Sequence, residues 1–315
     1  MLVVTEPRPA TRSAARPRPM TTTDELSREF TEYRSRLLGV AYRMLGSAWD
    51  AEDVVAEAMV RWLRVDRSRI DEPLAYLTTI VTRLAIDQLR SARVARERYV
   101  GEWLPEPVLT APSPLGPLDT VERREAVSLA TLRMMETLTP PERAVLVLHE
   151  AFELPHAEIA GILGISESAA RQHLHRARSR VHRGAEPASA VVHDEALDRF
   201  LAALENGDLS GVQALLAADV VAYSDGGGKA RAARVPVTGV DRVVHFYAAL
   251  RRRYRVRDIE KLEVNGRTAA VLWFGRQYVL LAVDVRDGTI HEIHSILNPD
   301  KLDYLRRQRA APADR

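Results

Sequence analysis

From Asp24 to about Arg98, apolar residues recur at three- and four-residue spacing, interrupted only at Gly46-Ser47 and Asp71-Glu72-Pro73. That periodicity predicts a compact helical domain over residues 24–98. Between Tyr99 and Leu118 the chain carries Pro105, Pro107, Pro112, Pro114, Gly116 and Pro117. Such a density removes backbone donors and fixes φ too often for a continuous helix, so an extended linker is expected over 99–118. Helical periodicity returns near Thr120 and holds to about Arg183, where Gly184 and Pro187 break it, predicting a second helical domain over 119–184. Beyond Val191 come a helix ending at Asn206-Gly207-Asp208, a Gly-rich loop and a helix around Val240 to Arg252. β-patterned segments follow at Ile259, Val271 to Phe274, Tyr278 to Leu281 and Ile290 to Ile296. An α+β domain is therefore expected over 191–305. Residues 1–23 lack periodicity and predict a disordered extension, with Met20 as an alternative start; residues 306–315 predict a flexible tail.

Composition sharpens this three-part picture. The 315 residues exceed one ordinary core, and 46% hydrophobic with 28% charged residues is a globular balance. Cysteine is absent, which excludes disulfide frameworks, thiolate metal sites and cysteine nucleophiles and fits a reducing cytoplasm. No apolar run reaches the roughly 18–20 residues that a membrane helix needs, so no membrane association is expected. A net charge of +2 gives no global field for a polyanion, so any nucleic-acid role must rest on local arginine. Arginine concentrates from Arg83 to Arg98 and from Arg171 to Arg183, while Asp50, Glu52, Asp53 and Glu57 supply an acidic counterweight.

In the second helical domain, Pro155 to Leu163, Gly164-Ile165-Ser166 and Glu167 to Arg180 read as helix, tight turn, helix. Pro155 suits a first helical position, Gly164 a left-handed closing residue and Ser166 an N-cap. Ile159, Ala160, Leu163, Ile165, Ala170, Leu174 and Ala177 form the inner face. Ser168, Arg171, Gln172, His175 and Arg176 point outwards, with Arg178 as a phosphate contact. Arg and Gln on the first turns of such a helix can bond base edges in a major groove. By itself this motif says DNA binding, and nothing narrower.

In the first domain, Asp50 is an N-cap candidate for a helix whose Val54, Val55, Ala58, Met59 and Trp62 face inwards, while Asp53 and Glu57 project from the opposite side. That face suits a basic protein partner, or else is a solvated surface with a Glu57 to Arg61 pair. Downstream, Tyr76, Arg83, Asp87 and Arg90 share one side of a helix whose Leu77, Ile80, Val81 and Leu84 line another. An aromatic beside arginines can stack an unpaired base and neutralise its phosphates.

In order, Asp50-Ala51-Glu52-Asp53-Val54-Val55, Ala75-Tyr76-Leu77, Leu84 to Arg90 and Leu138-Thr139-Pro140-Pro141-Glu142-Arg143-Ala144-Val145 resemble region 2 followed by region 4 of RNA polymerase sigma factors. A short linker stands in place of the intervening domain, which marks the extracytoplasmic-function class. Trp103-Leu104-Pro105-Glu106-Pro107, Asp225-Gly226-Gly227-Gly228-Lys229 and Asn298-Pro299-Asp300-Lys301-Leu302 resemble the subgroup carrying a fused SnoaL-like domain, a ketosteroid-isomerase-like cone. The implied fold is multidomain: two all-α sigma domains plus an α+β cone. The resemblance implies core RNA polymerase and promoter DNA as partners. Asp50, Glu52, Asp53 and Glu57 would dock on the polymerase. Arg69, Tyr76, Arg83, Asp87, Arg90 and Arg93 would face the −10 element, and Ser168, Arg171, Gln172, His175, Arg176 and Arg178 the −35 element. Arg83 stands where many members carry asparagine, a departure that bears on −10 preference. The extra domain would act in cis, with no separate anti-sigma protein required.

Two other readings follow from the same residues: a one-component regulator sensing a small ligand in the cone, or an isomerase or cyclase. The first leaves the acidic helix and the Tyr76 surface unused. The second lacks a catalytic constellation, because Asp225, His245, Asp284, His291 and His294 sit in no motif that fixes a role. No catalytic residue, metal site or cofactor is expected. The linker segment 103–107 is expected to pack against the third domain through the Asp225 to Lys229 loop, whose glycines allow close backbone approach.

Overall fold

The computed structural model describes residues 22–96, 98–110, 127–181, 187–274 and 277–310. Helix α1 (Thr23–Leu45) opens with a capping box between Thr22 and Glu25 and closes on Gly46 at φ 66°. Helix α2 (Ala48–Trp62) starts earlier than Asp50 would allow as its cap. Ser47 is the N-cap, its Oγ accepting the Asp50 N–H at 3.2 Å, so Asp50 sits in the first turn instead. Helix α3 (Pro73–Arg96) completes the first bundle, packing on α1 and α2.

The second helical unit consists of α4 (Leu129–Met135), α5 (Pro140–Leu146), one π-turn (Val147–Ala151), α6 (His156–Leu163) and α7 (Glu167–Val181). Pro155 is the residue before α6 rather than its first, and Gly164 closes α6 at φ 66°. These two units do not stand apart. A single apolar core runs from Leu26 and Phe30 through Trp62 and Leu77 to Val145, Leu148, Ile159 and Ala177.

Polar contacts lock the same seam. The buried Arg143 guanidinium of α5 donates to the Met44 carbonyl at 2.8 Å and to Glu136 at 2.9 Å. Arg96 of α3 donates to the Leu45 carbonyl at 2.7 Å and pairs with the same Glu136. Thus the carbonyl end of α1, which carries partial negative charge, receives two guanidinium groups organised by one carboxylate.

The C-terminal domain contains α8 (Ala190–Asn206), α9 (Leu209–Leu215), β1 (Leu216–Asp225), β2 (Val237–Thr238), α10 (Val240–Arg253), β3 (Asp258–Val264), β4 (Arg267–Phe274), β5 (Gln277–Arg286), β6 (Thr289–Ile296) and α11 (Pro299–Ala310). The six strands lie in the order β2-β1-β6-β5-β4-β3, antiparallel except for β1 beside β6. Period-two alternation gives the sheet two apolar faces. One, including Val220, Ala222, Val283 and Ile293, is covered by Leu197 and Phe200 of α8 and Val243 and Tyr247 of α10. The other, with Val264, Val271, Leu280 and Ile296, packs on Leu104 of the linker, Leu129 of α4 and Leu302 and Leu305 of α11. The sheet therefore joins the helical units through its second face. The tail expected from residue 306 is helical as far as Ala310, because α11 is seated on that face.

Candidate functional site

The helix-turn-helix is built as local sequence dictates. Ser166 Oγ accepts the Ala169 N–H at 3.1 Å, and Ile159, Ala170, Leu174 and Ala177 are buried between α6 and α7. Ser168, Arg171, Gln172, His175, Arg176 and Arg178 are all exposed on α7. Three of the arginines hold intramolecular partners: Arg171 pairs with Glu167, Arg176 with Glu142 at 3.3 Å and Arg178 with Glu150. The Arg171–Glu167 and Arg178–Glu150 pairs are half-exposed on both sides and contribute only about 0–1 kcal/mol, so phosphates can replace those two carboxylates at little cost, whereas Glu142 is buried and also holds Arg180.

The four acidic residues of α2 do not form one open patch. Asp53 and Glu57 are exposed, Glu57 accepting from Arg61 at 2.9 Å. Asp50 is half-buried and accepts from Gln88 at 3.4 Å. Glu52 pairs with Arg34 and accepts the Tyr304 hydroxyl of α11 at 3.2 Å. Beside it, the Trp49 ring meets Tyr304 edge-on at 5.3 Å and lies under the Arg307 guanidinium at 4.6 Å. The last helix thus covers one end of the acidic helix and leaves the other open.

On the neighbouring surface, Tyr76 tilts against Trp62 at 6.2 Å, and Arg69 pairs with Asp66 at 3.2 Å. Both line an open pocket of about 540 Å³ with Arg64, Val65, Ile70, Asp71 and Glu72. Asp87 and Arg90 form an exposed pair at 3.2 Å. Arg83, although exposed, donates through Nε to the Ile162 carbonyl at the end of α6, 3.1 Å away. The side chain of Arg93 lies outside the described residues.

The linker makes the densest polar contacts. Asp225, fully buried at the end of β1, accepts from the Leu104 N–H at 2.9 Å, the Tyr99 hydroxyl at 2.6 Å, the Gly227 N–H at 3.0 Å and Lys301 Nζ at 2.6 Å. Trp103 lies between two cations, Arg96 at 3.8 Å and Lys301 at 4.0 Å from its ring, and its edge rests on Gly46. Burial pushes the Lys301 ammonium down to about 8 while Asp225 opposes the shift. Gly227, at φ 57°, lets Asn298 approach where a Cβ would collide with its amide, and Lys229 pairs with Asp300. Among the other members of these motifs, Leu104, Pro105 and Pro107 are buried, Gly226 faces the Ala230 carbonyl and Gly228 faces Val100.

Glu106 reaches in the opposite direction. Its carboxylate accepts the Ala48 and Trp49 N–H groups at 2.6 and 3.2 Å and the Ser47 hydroxyl at 3.2 Å, completing the N-terminal cap of α2. Burial raises its pKa, against the stabilising pull of those backbone donors. A linker carboxylate is therefore part of the acidic helix's own foundation.

Two further contacts carry no sequence motif. Asn265, at φ 54° in the β3–β4 turn, donates to the Tyr42 hydroxyl at 2.6 Å and the Val127 carbonyl at 2.7 Å, and accepts the Val108 N–H at 3.1 Å. One turn residue thus touches both helical units and the linker. Arg133 of α4 grips Glu292 of β6 with two donors at 2.7 and 3.2 Å, its guanidinium 4.1 Å from the Tyr223 ring. Burial alone would raise the Glu292 pKa, but the His294 hydrogen bond and Arg133 outweigh it and hold the carboxyl well below its usual range. The folded chain then binds fewer protons here than the unfolded chain below the unfolded value of 4.5, so stability should fall as pH drops through that window. Glu292→Gln should flatten this acid limb in pH-dependent denaturation; an unchanged limb would assign the acid sensitivity elsewhere.

Comparison with known proteins places these surfaces in a family. Residues 30–94 match the model for sigma-70 region 2, residues 128–181 the model for sigma-70 region 4, and residues 197–292 that for a SnoaL-like domain. The chain belongs to the extracytoplasmic-function RNA polymerase sigma factors, which direct promoter recognition, and it carries a fused C-terminal SnoaL-like domain. It is 40% identical over 305 residues to the ECF RNA polymerase sigma factor SigJ of Mycobacterium tuberculosis, covering 91% of this chain and 97% of that one. The probable ECF RNA polymerase sigma factor SigI of the same organism is 35% identical over 294 residues, 90% of this chain and 97% of SigI. The crystal structure of M. tuberculosis SigJ superposes with a TM-score of 0.70 at 37% identity, over 88% of this chain and 98% of that one. Among the described residues no helix is long and apolar enough to cross a membrane, and no cluster of His, Asp and Glu is placed to hold a metal ion.

Proposed function

We propose that the SnoaL-like domain controls this sigma factor in cis by holding regions 2 and 4 in a closed arrangement. Arg83 carries the reading: its Nε lies 3.1 Å from the Ile162 carbonyl of the helix-turn-helix. The −10 and −35 elements lie about 25 base pairs apart, roughly 85 Å at 3.4 Å per pair. Surfaces in direct contact cannot read both at once, so the two regions must part before Tyr76, Arg69, Arg83, Asp87, Arg90 and Arg93 meet the −10 element and Ser168, Arg171, Gln172, His175, Arg176 and Arg178 the −35 element.

The acidic helix supports the same reading. Asp53 and Glu57 remain available to core polymerase, while Trp49 and Glu52 lie under α11 and Asp50 packs beside Gln88. Full docking of Asp50, Glu52, Asp53 and Glu57 on the polymerase therefore competes with α11. In this arrangement the fused domain takes the role of a separate anti-sigma protein and acts by contact rather than catalysis, in the cytoplasm where polymerase works. A small ligand in the C-terminal domain would act by shifting this balance. A cavity of about 20 Å³, room for a water molecule, lies beside His193 and Asp284 where the sheet meets Ser128, Leu129 and Ala130.

Tyr304→Ala/Arg307→Ala removes the aromatic and cation–π cover from Trp49 while leaving Leu302 and Leu305 seated. The full-length variant should bind core polymerase about tenfold more tightly, the equivalent of about 1.4 kcal/mol. Unchanged or weaker binding in a direct titration would refute competition by α11.

A further inference from the structure

The densest arginine run of the chain lies outside both helical domains. Arg251, Arg252, Arg253, Arg255 and Arg257 occupy five of the seven positions from the end of α10 to the start of β3, and every one of the seven is exposed. Arg251 has a structural task, donating to the Glu205 carbonyl at 3.3 and 3.1 Å. Among the described residues, no carboxylate pairs with Arg252, Arg253, Arg255 or Arg257. In this respect they differ from Arg171, Arg176, Arg178 and Arg180 of α7, each of which pairs with a glutamate.

A structural explanation covers only part of the run. Cations in the last turn of α10 complement the helix dipole, which accounts for Arg251 to Arg253. It does not extend to Arg255 and Arg257, which lie beyond the helix on the approach to the edge strand β3. The stripe also continues backwards along the exposed side of α10 through His245 and Arg242, at helical spacing from Arg252. In a chain of net charge +2, so local a concentration of unpaired guanidinium groups creates a positive field over a small area.

We propose that this surface binds the phosphate backbone of duplex DNA, giving the SnoaL-like domain a sequence-independent grip beside the two promoter-reading regions. Duplex DNA fits better than a lipid surface, because the apolar face of α10 (Val243, Val244, Tyr247) is buried on the sheet, which leaves Tyr254 and Val256 as the exposed apolar side chains within the run, too little to enter a bilayer. The exposed Tyr254 does not serve as a membrane anchor either, since its ring stands edge-on to Phe274 at 5.9 Å. Guanidinium groups need only phosphate oxygens at the rim of a groove, and such contacts position a protein without reading bases. This surface does not depend on the closed arrangement or on α11.

The test uses the full-length chain and a duplex lacking promoter elements, titrated by fluorescence anisotropy across salt concentrations. Arg252→Gln/Arg253→Gln/Arg255→Gln alters only exposed side chains and should leave the melting temperature unchanged. Its affinity should fall about tenfold or more, and the slope of log K against log salt should flatten by roughly 2–3, as expected for three lost phosphate contacts. Equal affinity and slope in parent and variant would overturn the proposal. So would a loss confined to phosphatidylserine vesicles or to single-stranded RNA with duplex binding intact.

Discussion

Asp225→Ala should release the linker from the C-terminal domain and lower stability by about 3–5 kcal/mol, the usual cost of leaving one member of a buried ion pair without its partner. Asp225 serves four donors on three segments: Tyr99 and Leu104 of the linker, Gly227 in its own loop and Lys301 of α11. Without it, Lys301 keeps the Leu104 carbonyl as an acceptor but remains buried without its paired carboxylate, Glu106 acting on it only as an unpaired charge nearby. Chemical denaturation measures the loss, and hydrogen exchange locates it: the Leu104 amide should exchange faster in the variant. A change under about 1 kcal/mol with Leu104 still protected would show that the linker is held by something else.

Trp103→Ala should act at the same seam by a different force. The indole separates Arg96 from Lys301 and covers Gly46, where α1 ends, so truncation removes two cation–π contacts and a packed surface together. Large aromatic truncations cost about 3–5 kcal/mol where the site cannot collapse, and here the two cations would repel across the void. Trp103→Phe, which keeps a ring between the cations, should recover much of that loss. Thermal denaturation of the two variants checks the ranking. Equal destabilisation by both would mean that the ring contacts contribute little.

Local periodicity made the helical units, the α+β domain and the helix-turn-helix legible, because each is specified by residues within a turn or two of one another. The start of α2 was harder. Ser47 and Asp50 are both good caps at the right spacing, and the choice between them is made with Glu106, some 60 positions along, whose carboxylate takes the Ala48 and Trp49 amides. No local pattern carries that information. The same holds for Asn265, whose Asn-Gly pair announces a tight turn but not the Tyr42 and Val127 it reaches, and for Arg133 with Glu292. The helical end of the chain went unread for a related reason: α11 from 306 onwards is polar along most of its length, and Tyr304, Leu302 and Leu305 acquire meaning only against α2 and the sheet. The acidic and arginine-bearing faces of regions 2 and 4 were visible as faces, but their partial occlusion by α11 and by α6 was not.

The closed arrangement can be measured directly, because a chain without cysteine accepts two unique labels. Cysteines introduced at the exposed Ser91 of α3 and Ser179 of α7 report the separation of regions 2 and 4 by single-molecule energy transfer. Control in cis predicts one high-transfer population in the free full-length chain. It also predicts a shift to low transfer on binding core polymerase with promoter DNA, and a low-transfer population in Asp225→Ala even without polymerase. The same high transfer in parent and Asp225→Ala, or in free and polymerase-bound protein, would contradict it.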